Sequence, residues 1–75
     1  GGKRKLSYKE QRELEALPAL IESLEAEQQA IAERLASSEL YVNEPHRVAE
    51  LQARHDAIEA ELMQALERWE LLGSA

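Results

Sequence analysis

The chain has no cysteine and no phenylalanine, and only three glycines, two prolines, two tyrosines and one tryptophan in 75 residues. Without cysteine no disulfide or thiolate metal site can form, and the reducing cytosol is the expected compartment. Glycine occurs only at positions 1, 2 and 73, so there is no G-x-x-x-x-G-K-[ST] loop to cradle phosphates. No apolar run approaches the ~20 residues of a membrane span, and the N-terminus lacks a signal-peptide pattern. A cytoplasmic chain with no membrane partner is expected. No nucleophile has a base at a defined spacing, and glutamates such as Glu15, Glu22, Glu50 and Glu67 occupy outward positions where solvent keeps them ionised. The chain by itself is therefore read as non-catalytic and without a cofactor of its own. Its length allows one small domain, expected to be a module of something larger.

Alanine, glutamate, leucine and arginine dominate what is present, and they point to long helices. The net charge of −6 hides a division along the chain. Residues 1–12 hold Lys3, Arg4, Lys5, Lys9 and Arg12 against Glu10 alone, a net +4. Residues 13–75 hold four arginines against fourteen acidic residues, a net −10. An acidic or nucleic-acid partner must therefore be met at the N-terminal end.

Ser7 and Glu10 form an S-x-x-E capping box, which predicts a helix from about Tyr8. Pro18 lacks an N–H and crowds the carbonyl four residues back, so the helix should kink there, or stop at Leu17 and restart. The apolar series Leu14, Leu17, Ile21, Leu24, Ile31 and Leu35, with Gln28 in step, alternates threes and fours. A second such series runs through Val48, Leu51, His55, Ile58, Leu62, Ala65, Trp69 and Leu72. Each is a heptad seam. Ser37, Ser38 and Asn43 mark a turn between them, Pro45 suits the first turn of the second helix with Glu44 or Asn43 before it as cap, and Gly73 suits its C-terminal cap.

The expected fold is all-α, an antiparallel two-helix coiled-coil hairpin with a short or kinked N-terminal segment before Pro18. Its expected parts are a basic linker end at 1–6, a hairpin at 7–72 and a tail at 73–75. Within the hairpin, 7–17 is the short or kinked segment, 18–37 the first long helix, 38–44 the loop and 45–72 the second long helix. Gly1 and Gly2 are a linker tail or an expression remnant and carry no fold information. Two pairing registers satisfy the seams. One sets Leu17 opposite Trp69 and Ile31 opposite His55; the other sets Ile31 opposite Val48 and brings Glu27 near Arg54 and Glu13 near Arg68.

His55 and Gln28 are read as seam residues, since His55 has only Glu59 within ligand spacing and a polar seam residue commonly fixes register. Trp69 is read as a seam residue stapling the open end of the hairpin. The basic cluster is the feature with functional leverage. Lys5, Lys9 and Arg12 share one face if the helix extends back to Lys5, with Lys3 and Arg4 adding charge beside it. Such a face neutralises phosphates without reading bases. A solvated linker end is the plain alternative.

The block Leu6-Ser7-Tyr8-Lys9-Glu10-Gln11-Arg12-Glu13-Leu14-Glu15, then Leu17-Pro18, resembles the C-terminal domain of Uup-type ABC-F proteins. The resemblance continues through the leucine heptads, Leu40-Tyr41, the Pro45-led second helix, and Trp69 with Leu71-Leu72. It implies the last segment of a longer cytoplasmic ATPase, whose ATP- and magnesium-binding motifs lie upstream in two cassettes of the same polypeptide. It also implies a DNA-binding role for this segment and action of the wider group on ribosomes. Phosphate contacts would then fall on Lys3, Arg4, Lys5, Lys9 and Arg12, with Arg47, Arg54 and Arg68 from the second helix. The acidic remainder departs from what strong DNA binding requires.

Three functions are therefore carried forward. The first is non-specific binding of the DNA or RNA phosphate backbone. The second is a protein-interaction or spacer arm that places the ATPase on a large partner such as the ribosome through Leu40, Tyr41 and Val42. The third is self-association through exposed seam residues, against the expectation of a monomer.

Overall fold

A computed structural model describes residues 5–74 as an all-α hairpin. Helix α1 spans Tyr8–Leu35, a short α2 spans Ser38–Asn43, and α3 spans Arg47–Gly73. The molecule is a rod of 60 × 16 × 15 Å. Its radius of gyration is 17.0 Å, against about 11 Å for a compact domain of this length.

The start of α1 follows the capping-box expectation. The Glu10 amide donates to Ser7 Oγ at 3.1 Å, and the Ser7 amide donates to Glu10 Oε1 at 3.0 Å. Pro18 lies inside α1 without ending it, so the first helix is one element rather than a short segment and a restart. The missing N–H at Pro18 deprives the Leu14 carbonyl of its helical donor. Packing on both sides of the proline offsets that loss. Leu17 is buried with Ala65 and Leu72, and Leu14 and Ile21 close onto the same cluster.

Burial selects one heptad column from each seam. Leu17, Leu24 and Ile31 are buried on α1, and Leu51, Ile58, Ala65 and Leu72 on α3. The companion column, including Leu14, Ile21, Leu35, Val48 and Leu62, is only half-buried, because two helices leave one side of a heptad seam open. Trp69 belongs to that open column and remains 45% exposed.

The register is the second of the two expected. Arg54 grips Glu27 in a two-point contact at 2.7 and 2.8 Å, and Arg68 grips Glu13 at 2.7 and 3.0 Å. Four linked observations shape the tip. Leu35 ends α1 two residues earlier than expected, and the Tyr41 hydroxyl donates to its carbonyl at 2.8 Å. The turn-rich stretch after it forms α2, because this brings Leu40 into the core with Ile31 and Leu51. Leu40, a contact residue only on the interaction-arm reading, is 3% exposed and folds back to cover the last seam layer. Pro45 falls before α3, whose first position is Arg47; the Arg47 amide donates to the Glu44 carbonyl at 2.9 Å. Gly73 is the last helical residue and has no left-handed backbone, so the C-terminal glycine cap does not form.

Candidate nucleic-acid interface

Helix α1 begins at Tyr8, so Lys5 sits in the lead-in and not on the helix. Leu6 ties that lead-in to the rod by packing against the cluster of Leu17, Ala65 and Leu72. Lys9 and Arg12, three residues apart in the first turns, share one side of α1 and are exposed. They also stand at the positive end of the helix dipole, which reinforces an attraction for anions. Among the described residues, Lys5, Lys9 and Arg12 make no ion pair within 4.0 Å. Lys3 and Arg4 lie outside the described residues.

The second-helix arginines sit differently. Arg54 and Arg68 each face an α1 carboxylate brought to them by the pairing of the helices, whereas Arg47 faces only carboxylates three residues away. Arg54 holds Glu27 and reaches Glu61 at 3.5 Å; Arg68 holds Glu13. Hydrogen bonds from these guanidinium groups hold the Glu13 and Glu27 carboxyls below the usual glutamate range, against a smaller opposing effect of desolvation. The same bonds raise the pKa of Arg54 and Arg68 further above the ordinary arginine value. Arg47 lies near the tip, 3.9 Å from both Glu44 and Glu50, and about 30 Å along α3 from Arg68.

The structure thus places Arg68 on Glu13 near the basic start of α1, and sets Arg54 and then Arg47 progressively farther along the rod. Glu44 or Asn43 was expected to cap the second helix, but the N-cap is His46 and Glu44 serves as an ion-pair partner instead. The register places Arg34 and Arg47 near each other at the tip, and Glu44 sits between them, 2.9 Å from one and 3.9 Å from the other. Met63 and Leu66, both exposed, also escaped a reading centred on the seams. The four-and-three spacing of Leu62, Leu66 and Trp69 was the signal available for Leu66.

No helix among the described residues is long and apolar enough to cross a membrane. His55 is half-buried in a groove beside Gln28, Glu25 and Glu59, and no described cluster of three or more His, Cys, Asp or Glu could hold a metal ion.

Residues 5–74 match the family model described as the ABC transporter C-terminal domain. The chain is 46% identical over 68 residues to the ATP-binding protein Uup of Escherichia coli (strain K12), covering 91% of this chain and 11% of that protein. It is also 46% identical over 70 residues to a Uup-like ATP-binding protein of Haemophilus influenzae, covering 91% of this chain and 15% of the relative. A Haemophilus influenzae Uup protein matches at the same identity, with 10% of its length covered. The chain therefore spans only 10% to 15% of the length of these relatives. No solved structure matches it. The chain belongs to the ABC transporter C-terminal domain family and is the C-terminal domain of a Uup-type ABC ATP-binding protein.

Proposed function

We propose that this domain is a non-catalytic module that binds DNA, or another nucleic acid, through the phosphate backbone and without sequence preference. The observation that carries this reading is the basic start of the rod. Lys5, Lys9 and Arg12 stand there outside any described ion pair, where α1 presents its positive end. Lys3 and Arg4 would add charge, and Arg68 is the nearest of the second-helix arginines. Arg68, Arg54 and Arg47 would engage only by exchanging Glu13, Glu27 or Glu44 for a phosphate. The residues do not fit ATP or magnesium, given the three glycine positions and the lack of a described metal cluster. Those groups belong, on this reading, to the rest of the polypeptide, in the cytoplasm.

The test is fluorescence anisotropy with a short labelled duplex at several salt concentrations. Three to five phosphate contacts imply a roughly 40- to 500-fold loss of affinity between 50 and 200 mM salt. Neutralising Lys5, Lys9 and Arg12 together should flatten the salt slope. An unchanged slope would sink the assignment of these residues.

The length of the rod, 60 Å, favours a second reading, a spacer arm that positions an attached ATPase on a large partner such as the ribosome. Its contact point would be Val42, 76% exposed, with Tyr41 beside it. Val42→Asp is the clean probe, because Tyr41 also caps α1. Weakened partner binding with intact helicity supports the arm, and unchanged binding removes the tip from consideration.

A further inference from the structure

The open side of the hairpin combines apolar surface with charge of one sign. Gln28 and His55 line one groove, so a step of seven along each helix, in opposite directions, sets Ile21 beside Leu62 and Leu14 beside Trp69. These four are only partly covered by the core, and Met63 and Leu66 extend the patch, at 65% and 47% exposure. Among the described residues, the charged side chains at its flanking heptad positions are all carboxylates. Glu15, Glu22 and Glu25 flank it on α1, and Asp56, Glu59 and Glu70 on α3. No lysine or arginine occupies a heptad position on this side; Arg34, Arg47, Arg54 and Arg68 all lie on the other, where the ion pairs form.

We propose that this side is a docking site for a basic amphipathic helix of a partner protein. A third helix laid between α1 and α3 would drop its own stripe, at i, i+3 or i+4, and i+7, into the two half-open columns. That contact would complete the burial that two helices leave unfinished. Lysines or arginines flanking the stripe would meet the carboxylates along both borders. The charge argues against the competing occupants. A second copy would press identical carboxylates together, and a nucleic acid or anionic membrane would be repelled. The inference is independent of nucleic-acid binding at the basic end.

Trp69 is the only tryptophan and sits within the patch, so its emission reports occupancy directly. Three synthetic helical peptides serve as probes: a leucine stripe flanked by lysines, the same stripe flanked by glutamates, and the lysine peptide with serine replacing leucine. The expected result is a saturable blue shift at equimolar peptide with the leucine–lysine probe alone. Leu66→Asp should weaken that binding roughly tenfold or more, with helicity and melting unchanged. An equal response to the glutamate or serine peptide would overturn the proposal, as would no response to any of them. A blue shift that grows with protein concentration in the absence of peptide, accompanied by dimer in sedimentation, would assign the face to a second copy instead.

Discussion

Replacing Pro18 by alanine should make the domain more stable, and the size of the gain follows from its surroundings. A proline in a helix interior costs about 3 kcal/mol relative to alanine, through the lost N–H and the ring's crowding of the preceding turn. Pro18 is exposed, so Pro18→Ala removes no core contact, while the neighbouring Leu17 keeps its buried place. Proline also restricts the unfolded chain, which offsets about 0.4–1 kcal/mol of the gain. The net increase is about 2 kcal/mol. In a domain of this size that raises the melting temperature by roughly 8–16 °C. Far-UV circular dichroism would record the shift, and hydrogen exchange would show whether the new amide at position 18 is protected by the Leu14 carbonyl. An unchanged or lower melting temperature would refute the reasoning. It would mean that the proline-adjusted path of α1 is what lets Leu14 and Leu17 reach the α3 cluster together.

Three further outcomes are expected. Ile58, with no exposed surface at the centre of the larger core cluster, should cost about 3 kcal/mol on truncation by Ile58→Ala. That is a fall of roughly 12–24 °C in melting temperature, and a shift of only a few degrees would show that this layer is loosely packed. Acid should weaken the hairpin, because the lowered carboxyls of Glu13 and Glu27 make the unfolded chain the better proton acceptor. Their contribution is complete above the ordinary glutamate value of 4.5 and is lost as pH falls through the lowered folded values. The urea midpoint should trace that loss, and Glu27→Gln should reduce it; equal pH profiles for the two proteins would contradict it. Glu61→Arg should give a minor second set of methyl resonances for Leu24 and Ile58, from a hairpin slipped by one heptad, whereas a single unshifted set would count against a register role for Glu61.

The hairpin was legible because its signals are periodic and local. Heptad spacing picked out Leu17, Leu24, Ile31, Leu51, Ile58, Ala65 and Leu72, and the Ser7–Glu10 box located the start of α1. The tip was less legible. Its backbone is decided by where one side chain finds cover, and burying Leu40 against Ile31 and Leu51 turned a stretch of turn-forming residues into α2. Propensity gave no hint of that contact. Pro18 misled for a related reason, since the cost of a proline is local and the packing that overcomes it comes from α3. At the candidate interface the charge division could be read directly. The pairing of Arg54 and Arg68 with α1 carboxylates was legible only as one of two registers, because the apolar seams alone leave that choice open.

The ion pairs act on that register, and Glu61 shows how. In the observed pairing Glu27 faces Arg54 and Glu13 faces Arg68, while Glu61 shares a groove with Leu20 and reaches only Arg54, at the long distance of 3.5 Å. Judged by its contacts, Glu61 contributes little, and it breaks a row that would otherwise read arginine at 47, 54, 61 and 68. Slipping the helices by seven residues keeps leucines against leucines, so the apolar seam discriminates weakly. One slip sets Glu27 against Glu61 and Arg34 against Arg54. The opposite slip sets Glu13 against Glu61. The same carboxylate penalises both errors, and a uniform arginine row would make the second slip complementary at 13 with 61 and at 27 with 47. Glu61 therefore specifies the pairing through the alternatives it makes unfavourable. The tip adds local contacts at the other end, where the Tyr41 hydroxyl donates to the Leu35 carbonyl and Glu44 sits between Arg34 and Arg47.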